Sequence, residues 1–186
     1  MQADFKVVLD ACVLANAGLC DLFLRLAEPP RLYLPVWSVE ILDEVRRTQT
    51  TKLKRRYPTE LADYWRKEVT RAFPEAEARG YSKLVSLMTN HEKDRHVLAA
   101  AVKSGASLIV TFNLKDFAVA DLHSWEVTAS HPQDYLLALH SMNPGVVVAK
   151  LAAIAQDDGR DLQDVILHLG KSVPAFASRI LETLGS

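Results

Sequence analysis

Two short apolar runs constrain this chain more than any other feature. KVVL at 6–9 and SLIVTF at 107–112 are rich in β-branched residues and too brief for helices. Each reads as a strand buried on both faces of a sheet. Strands that run parallel need long crossovers, and the sequence between these two carries helical spacing. RLYLPV at 31–36 is a further strand candidate, weakened by Pro35, and WEVTA at 125–129 reads as the last strand. Helices are predicted from Val39 to Thr48 behind a Ser38 N-cap, from Thr59 to Ala72, from Glu75 to Met88, and from Lys93 to Ser104 with Gly105 as the stop. After His131-Pro132 come helical stretches near 133–142, 145–156 and 161–170 and a last one from Pro174, with no strand signal. The pattern predicts an α/β layer fold with a mainly parallel central sheet and a C-terminal helical appendage.

With 186 residues, 49% of them hydrophobic, the chain has enough apolar surface for one well-buried core. No stretch approaches the roughly 18 apolar residues of a membrane span. The opening MQADFKVVLD lacks a signal peptide's basic head and apolar middle, so a cytoplasmic location is expected. Cys12 and Cys20 are too few for a zinc knuckle and are expected as free thiols in or near the core. The formal charge of −1 hides an asymmetry. Residues 1–120 hold 18 basic and 15 acidic side chains, against 4 and 8 in 121–186. A mildly basic body permits a polyanionic partner without requiring one.

Ligands of open parallel sheets bind beyond the carboxyl ends of the strands. Asp10 directly follows KVVL, and Asn113 and Asp116 follow SLIVTF, so two strand ends carry polar groups to one rim. There Asp10 is expected to reach water, although such a residue also serves as an ordinary N-cap or turn former. At about 100° per residue, Ile41, Leu42 and Val45 form the apolar stripe of their helix. Glu40 and Asp43 then face solvent, and Glu44 lies near the stripe's margin. It either reaches the rim or pairs with a nearby Arg. Asp94 lies above the stripe of Val97, Leu98, Ala101 and Val102 and points inward, as a rim ligand or as a cap. His96 falls opposite that stripe and is expected to be exposed.

Asp10, Glu44, Asp94 and Asp116 thus suggest a group of three or four carboxylates with no Lys or Arg at matching inward positions. Like charges that close require a cation to stay ionised. Oxygen-only donors point to Mg²⁺ or Mn²⁺, which can polarise a phosphodiester and activate water for attack.

VVLDACVL, LYLPVWSVEILDEVRR, KDRHVLAAAVKSGASLIVTFNLKDF and SHPQDYLLAL, in this order and spacing, resemble the PIN-domain family, specifically bacterial PIN proteins of the VapC toxin kind. The resemblance implies a PIN domain over residues 1–131 with a helical C-terminal extension over 132–186. It also implies a Mg²⁺- or Mn²⁺-dependent endoribonuclease, with the family's four acids falling on Asp10, Glu44, Asp94 and Asp116. Asp10, Asp94 and Asp116 would hold the metal. Thr111 and Asn113 would orient water or another carboxylate. Relatives often read Asp-Pro-x-Asp where this chain reads NHEKD, and Glu92 is taken as the replacement for the auxiliary Asp.

RNA needs a basic approach to an acidic site. Arg46, Arg47, Lys52, Lys54, Arg55 and Arg56, with no acid among them and Tyr57 beside them, offer one for RNA or for a cognate antitoxin, or form a solvated helix end. Homodimerisation is a further family tendency. Two other enzyme classes fit less well. An aspartate-nucleophile phosphatase needs an Asp where Cys12 stands, and a nucleotide-binding fold needs a glycine-rich turn that DACVLANAG lacks. The non-enzymatic alternative is a PIN-like scaffold that binds RNA or protein without cleavage.

Overall fold

The computed structural model describes residues 4–53 and 56–185. Four strands form one parallel sheet in the order β2-β1-β3-β4: β1 (Lys6–Leu9), β2 (Leu34–Val36), β3 (Leu108–Val110) and β4 (Thr128–Ser130). Val7, Val8 and Leu9 of β1 and Ile109 and Val110 of β3 are fully buried, as strands covered by helices on both faces must be. Pro35 is tolerated because β2 is an edge strand, bonded within the sheet to β1 alone. The last strand begins later than its sequence suggests. Trp125 and Glu126 belong to the turn before it, where Glu126 adopts a positive φ of 55°.

Helices α1 (Ala11–Leu14) and α2 (Ala17–Ala27) follow β1. Then come α3 (Val39–Arg47), a π-turn over Thr48–Lys52, and α4 (Thr59–Ala72). Ser38 caps α3 by accepting from the Ile41 N–H at 3.1 Å. Asp63 of α4 pairs with Arg46, and Arg66 with Asp43, so opposite charges join α3 to α4. The helix predicted from Glu75 to Met88 is reduced to one turn, α5 (Ser82–Val85). Upstream of it the chain takes an extended path. The Trp37 N–H donates to Ala76 and the Ala78 N–H to Trp37, and Gly80 then turns at φ 71°. Tertiary pairing outweighs helical propensity in this segment.

Helix α6 (Arg95–Ser104) is preceded by a 3₁₀ turn over Glu92–Asp94 and ends at Gly105, whose φ of 72° is left-handed. A second 3₁₀ turn, Leu114–Asp116, precedes α7 (Val119–His123). Four helices complete the chain: α8 (Pro132–Met142), α9 (Pro144–Asp157), α10 (Leu162–Leu169) and α11 (Pro174–Leu184). Among the described residues, no single helix is long and apolar enough to cross a membrane.

The C-terminal helices share the core of the sheet body through α2. Tyr135 of α8 stacks on Phe23 with ring centroids 6.2 Å apart and meets Tyr33 edge-on at 5.7 Å. Arg25 pairs with Asp157 at 2.8 Å, and Asn16 donates to Ser172 at 2.9 Å. The core of buried side chains runs without a break from Val7 to Ile180. Leu151 of α9 is fully buried in it. Leu151→Ala is expected to cost about 2–5 kcal/mol. Denaturant melts should show one transition with coincident tryptophan fluorescence and far-ultraviolet dichroism, whereas separate transitions would mean that the extension folds apart from the sheet.

Candidate metal centre

The carboxyl edge of the sheet is built from the residues that leave β1 and β3. The Asp10 N–H still donates to Val110 at 3.1 Å, which fixes the two strand ends side by side. The Asp10 side chain does not reach water as the sequence suggested. It is 3% exposed and held by three donors. Its Oδ1 accepts from the Ala11 N–H at 2.6 Å, starting α1, and its Oδ2 accepts from Thr111 Oγ1 at 2.6 Å and Cys12 Sγ at 3.2 Å. Burial raises the Asp10 pKa. The Thr111, Cys12 and Ala11 bonds pull it back, and Glu44 adds repulsion.

Thr111 is fully buried and bonded on both sides. It donates to Asp10 and accepts from the Asn113 N–H at 3.0 Å. Asn113 therefore joins this network through its backbone, while its side chain sits at an exposed residue. Cys12 is a working part of the network rather than a filler of the core. Burial and the neighbouring Asp10 push its thiol pKa up to about 12, which keeps the proton available for donation.

Asp94 stands at the junction between the 3₁₀ turn and α6, and its side chain makes no capping hydrogen bond. The alternative role as a cap is therefore not the one observed. Burial and then the charges of Asp10, Asp116 and Glu44 raise its pKa to about 6, with His91 acting in the opposite sense. Asp94 is thus within electrostatic reach of the three other acids expected at the rim. Asp116 ends its own 3₁₀ turn, and its carbonyl accepts from the His91 N–H at 3.2 Å and Asn90 Nδ2 at 3.4 Å. These bonds clamp the segment before α6 to the segment after β3. One nitrogen of His91 and one oxygen each of Asp94 and Asp116 lie within 4.8 Å of one another.

Two histidines change the expected picture. Glu92 is exposed, and the residue that meets Asp94 is His91, with Nδ1 3.6 Å from Asp94 Oδ2. A 3₁₀ turn superimposes residues three apart, so the group facing Asp94 lies three positions before it and not two. That spacing was the available signal. His96 is not exposed either. Its side chain retains 13% of its accessibility, and Nε2 lies 3.2 Å from Glu44 Oε1. Burial works against protonating His96, but Glu44 outweighs it and raises the pKa. The sequence misses this contact because α6 is buried on nearly all sides, Val97 to Ala101 without exception. The side opposite its apolar stripe therefore meets α3 instead of solvent.

The basic stretch is less uniform than its sequence. Arg46 is engaged by Asp63, whereas Arg47, Lys52 and Arg56 are exposed residues. Lys54 and Arg55 lie outside the described residues. Among the described residues, no Lys or Arg forms an ion pair with Asp10, Glu44, Asp94 or Asp116, and their histidine contacts are His91 and His96. This donor set, oxygen-rich and short of countercharge, fits a divalent cation. Asp94 and Asp116, with Asp10 behind them, are the residues that would hold it.

A family model described as PIN domain matches residues 6–115, ending one residue before Asp116. VapC50 of Mycobacterium tuberculosis, provisionally named a ribonuclease, is 39% identical over 105 residues. The match covers 55% of this chain and 62% of that relative, so it spans less than two thirds of the relative's length. No solved structure matches the chain.

The crowding of the acids has a pH signature. Unfolded Asp94 releases its proton near 3.8, and folded Asp94 near 6. The folded state therefore holds the proton longer, and the contribution of Asp94 to metal-free stability falls as pH rises from about 4 to about 6, then levels off. Asp94→Asn should raise the melting temperature of the metal-free protein at about pH 7.5 and leave it nearly unchanged at about pH 4. An equal effect at both pH values would mean that Asp94 is not under electrostatic pressure.

Proposed function

The chain belongs to the PIN-domain family, and on that premise we propose that it is a Mg²⁺- or Mn²⁺-dependent endoribonuclease, the toxin of a toxin-antitoxin pair. The observation that carries the proposal is the gathering of Asp94, Asp116, Asp10 and Glu44 at one sheet edge, with Asp94 driven to about pKa 6 by burial and the other three. The 39% identity over 105 residues to VapC50, with its provisional ribonuclease name, supports the same class of reaction.

A bound divalent cation would supply charge stabilisation for an RNA phosphodiester and activation of water. The chain's own residues have separable tasks. Asp10 is rigid, because Ala11, Thr111 and Cys12 fix both of its oxygens. Asp94 and Asp116 are half-buried and keep part of their surface in water, where they would orient the ion and its substrate. Glu44, backed by His96, stands at the margin of the group and can accept a proton from water. Exposed Arg47, Lys52 and Arg56 would guide the RNA backbone, or meet an acidic stretch of the antitoxin. Residues 1–131 would form the catalytic domain and 132–186 its helical extension. A cytoplasmic location and self-association as a homodimer complete the proposal.

Incubation of labelled RNA with purified protein should give cleavage that requires Mg²⁺ or Mn²⁺ and stops with EDTA. Asp94→Asn and Asp116→Asn should each lower the rate by about two orders of magnitude, the scale of losing one group that stabilises developing charge. Either ion at about a hundred times its Kd should stabilise the wild-type fold by about 2.7 kcal/mol. Cleavage that persists in both variants would defeat the proposal.

A further inference from the structure

We infer that His91 is a nitrogen ligand of this centre and biases it toward Mn²⁺ over Mg²⁺. The inference rests on the metal-dependent reading above and specifies which ion the residues prefer. His91 and Asp94 occupy successive corners of one 3₁₀ turn, where the Asp94 N–H donates to the His91 carbonyl at 2.9 Å. With three residues per turn their side chains project in the same direction. Nδ1 therefore lies 3.6 Å from Asp94 Oδ2, and the His91, Asp94 and Asp116 donors fall within 4.8 Å of one another.

This placement is anchored from behind and not left to a loose side chain. The His91 N–H and Asn90 Nδ2 both donate to the Asp116 carbonyl. Asn90 is itself buried, and its own carbonyl accepts from Arg95 Nε at 3.2 Å. The backbone of His91 is thus tied to the strand-end segment that carries Asp116. The imidazole is half-exposed, and because its donor atom lies within 4.8 Å of both carboxylates it needs little movement to bond an ion seated between them.

The chemistry of the ions supplies the preference. Mg²⁺ demands near-ideal octahedral oxygen ligation and gives up water reluctantly. A neutral imidazole offers it little, whereas first-row transition ions accept nitrogen readily and Mn²⁺ also retains a strong affinity for carboxylate oxygen. One imidazole among aspartates therefore raises Mn²⁺ affinity more than Mg²⁺ affinity. Glu44 and His96 lie on the α3 side of the group and take no part in this contrast.

The test uses the full-length protein, with calorimetric titration of each ion and pulsed electron paramagnetic resonance of bound Mn²⁺. Wild type should bind Mn²⁺ about tenfold or more tighter than Mg²⁺. Its resonance should show a directly bonded nitrogen, and His91→Gln should abolish that signal while near-ultraviolet dichroism stays unchanged. His91→Asp should narrow the Mn²⁺ to Mg²⁺ ratio by tightening Mg²⁺. Mn²⁺ binding that depends on Asp94 but shows no nitrogen coupling, or coupling that survives in His91→Gln, would overturn the role of His91 and leave the nuclease proposal standing. Failure of both ions to bind would overturn both.

Discussion

The Asp10 carboxylate, sealed at the ends of β1 and β3 with three donors aimed at it, is the interaction on which the rest of the site depends. Its backbone N–H continues the sheet to Val110, its Oδ1 opens α1, and its Oδ2 is gripped by Thr111 and Cys12. Sheet closure, helix initiation and placement of a charge are therefore one event at one residue. Removing either Thr111 or Cys12 as a donor would leave a buried acid under-satisfied, which is costly in so dry a place. Such a residue is fixed in position because the strand residues behind it, Val7, Val8, Leu9, Ile109 and Val110, are fully buried.

Around this fixed charge the protein arranges others that, among the described residues, no Lys or Arg pairs with. Asp94, Asp116 and Glu44 approach from three further segments, and the clamp between His91 and the Asp116 carbonyl prevents them from spreading apart. The fold therefore holds a repulsion that an isolated chain would relax. Elsewhere several acids are met by arginines, as Asp63 by Arg46 and Asp157 by Arg25. The set without a Lys or Arg partner among the described residues lies at the carboxyl end of the sheet, where parallel α/β folds place their ligands.

Much of this was legible in the sequence because it rests on short-range rules. KVVL and SLIVTF mark β1 and β3 by composition, Ser38 and Gly105 mark helix ends, and Pro132, Pro144 and Pro174 begin three of the four helices of the extension. The parts that were not legible depend on tertiary contact. The segment from Glu75 loses its helix to pairing with Trp37. Helix α2 was passed over although Leu19, Leu22, Phe23 and Leu26 form a helical stripe behind an Asn16 N-cap, and the four-residue α1 is too short to show a period. Of the residues around the acids, His96 was misread as exposed and His91 was passed over. A helical wheel cannot anticipate that a 3₁₀ turn brings His91 over Asp94, or that α6 is enclosed so fully that His96 meets Glu44.

The central claim is that these acids converge because a divalent cation occupies the space between them. Anomalous diffraction from a crystal soaked in Mn²⁺ tests it most directly. The account predicts a single strong peak bonded to Asp94 and Asp116 on the side facing Asp10. A peak at a different surface, or none there with the ion in large excess, would contradict it.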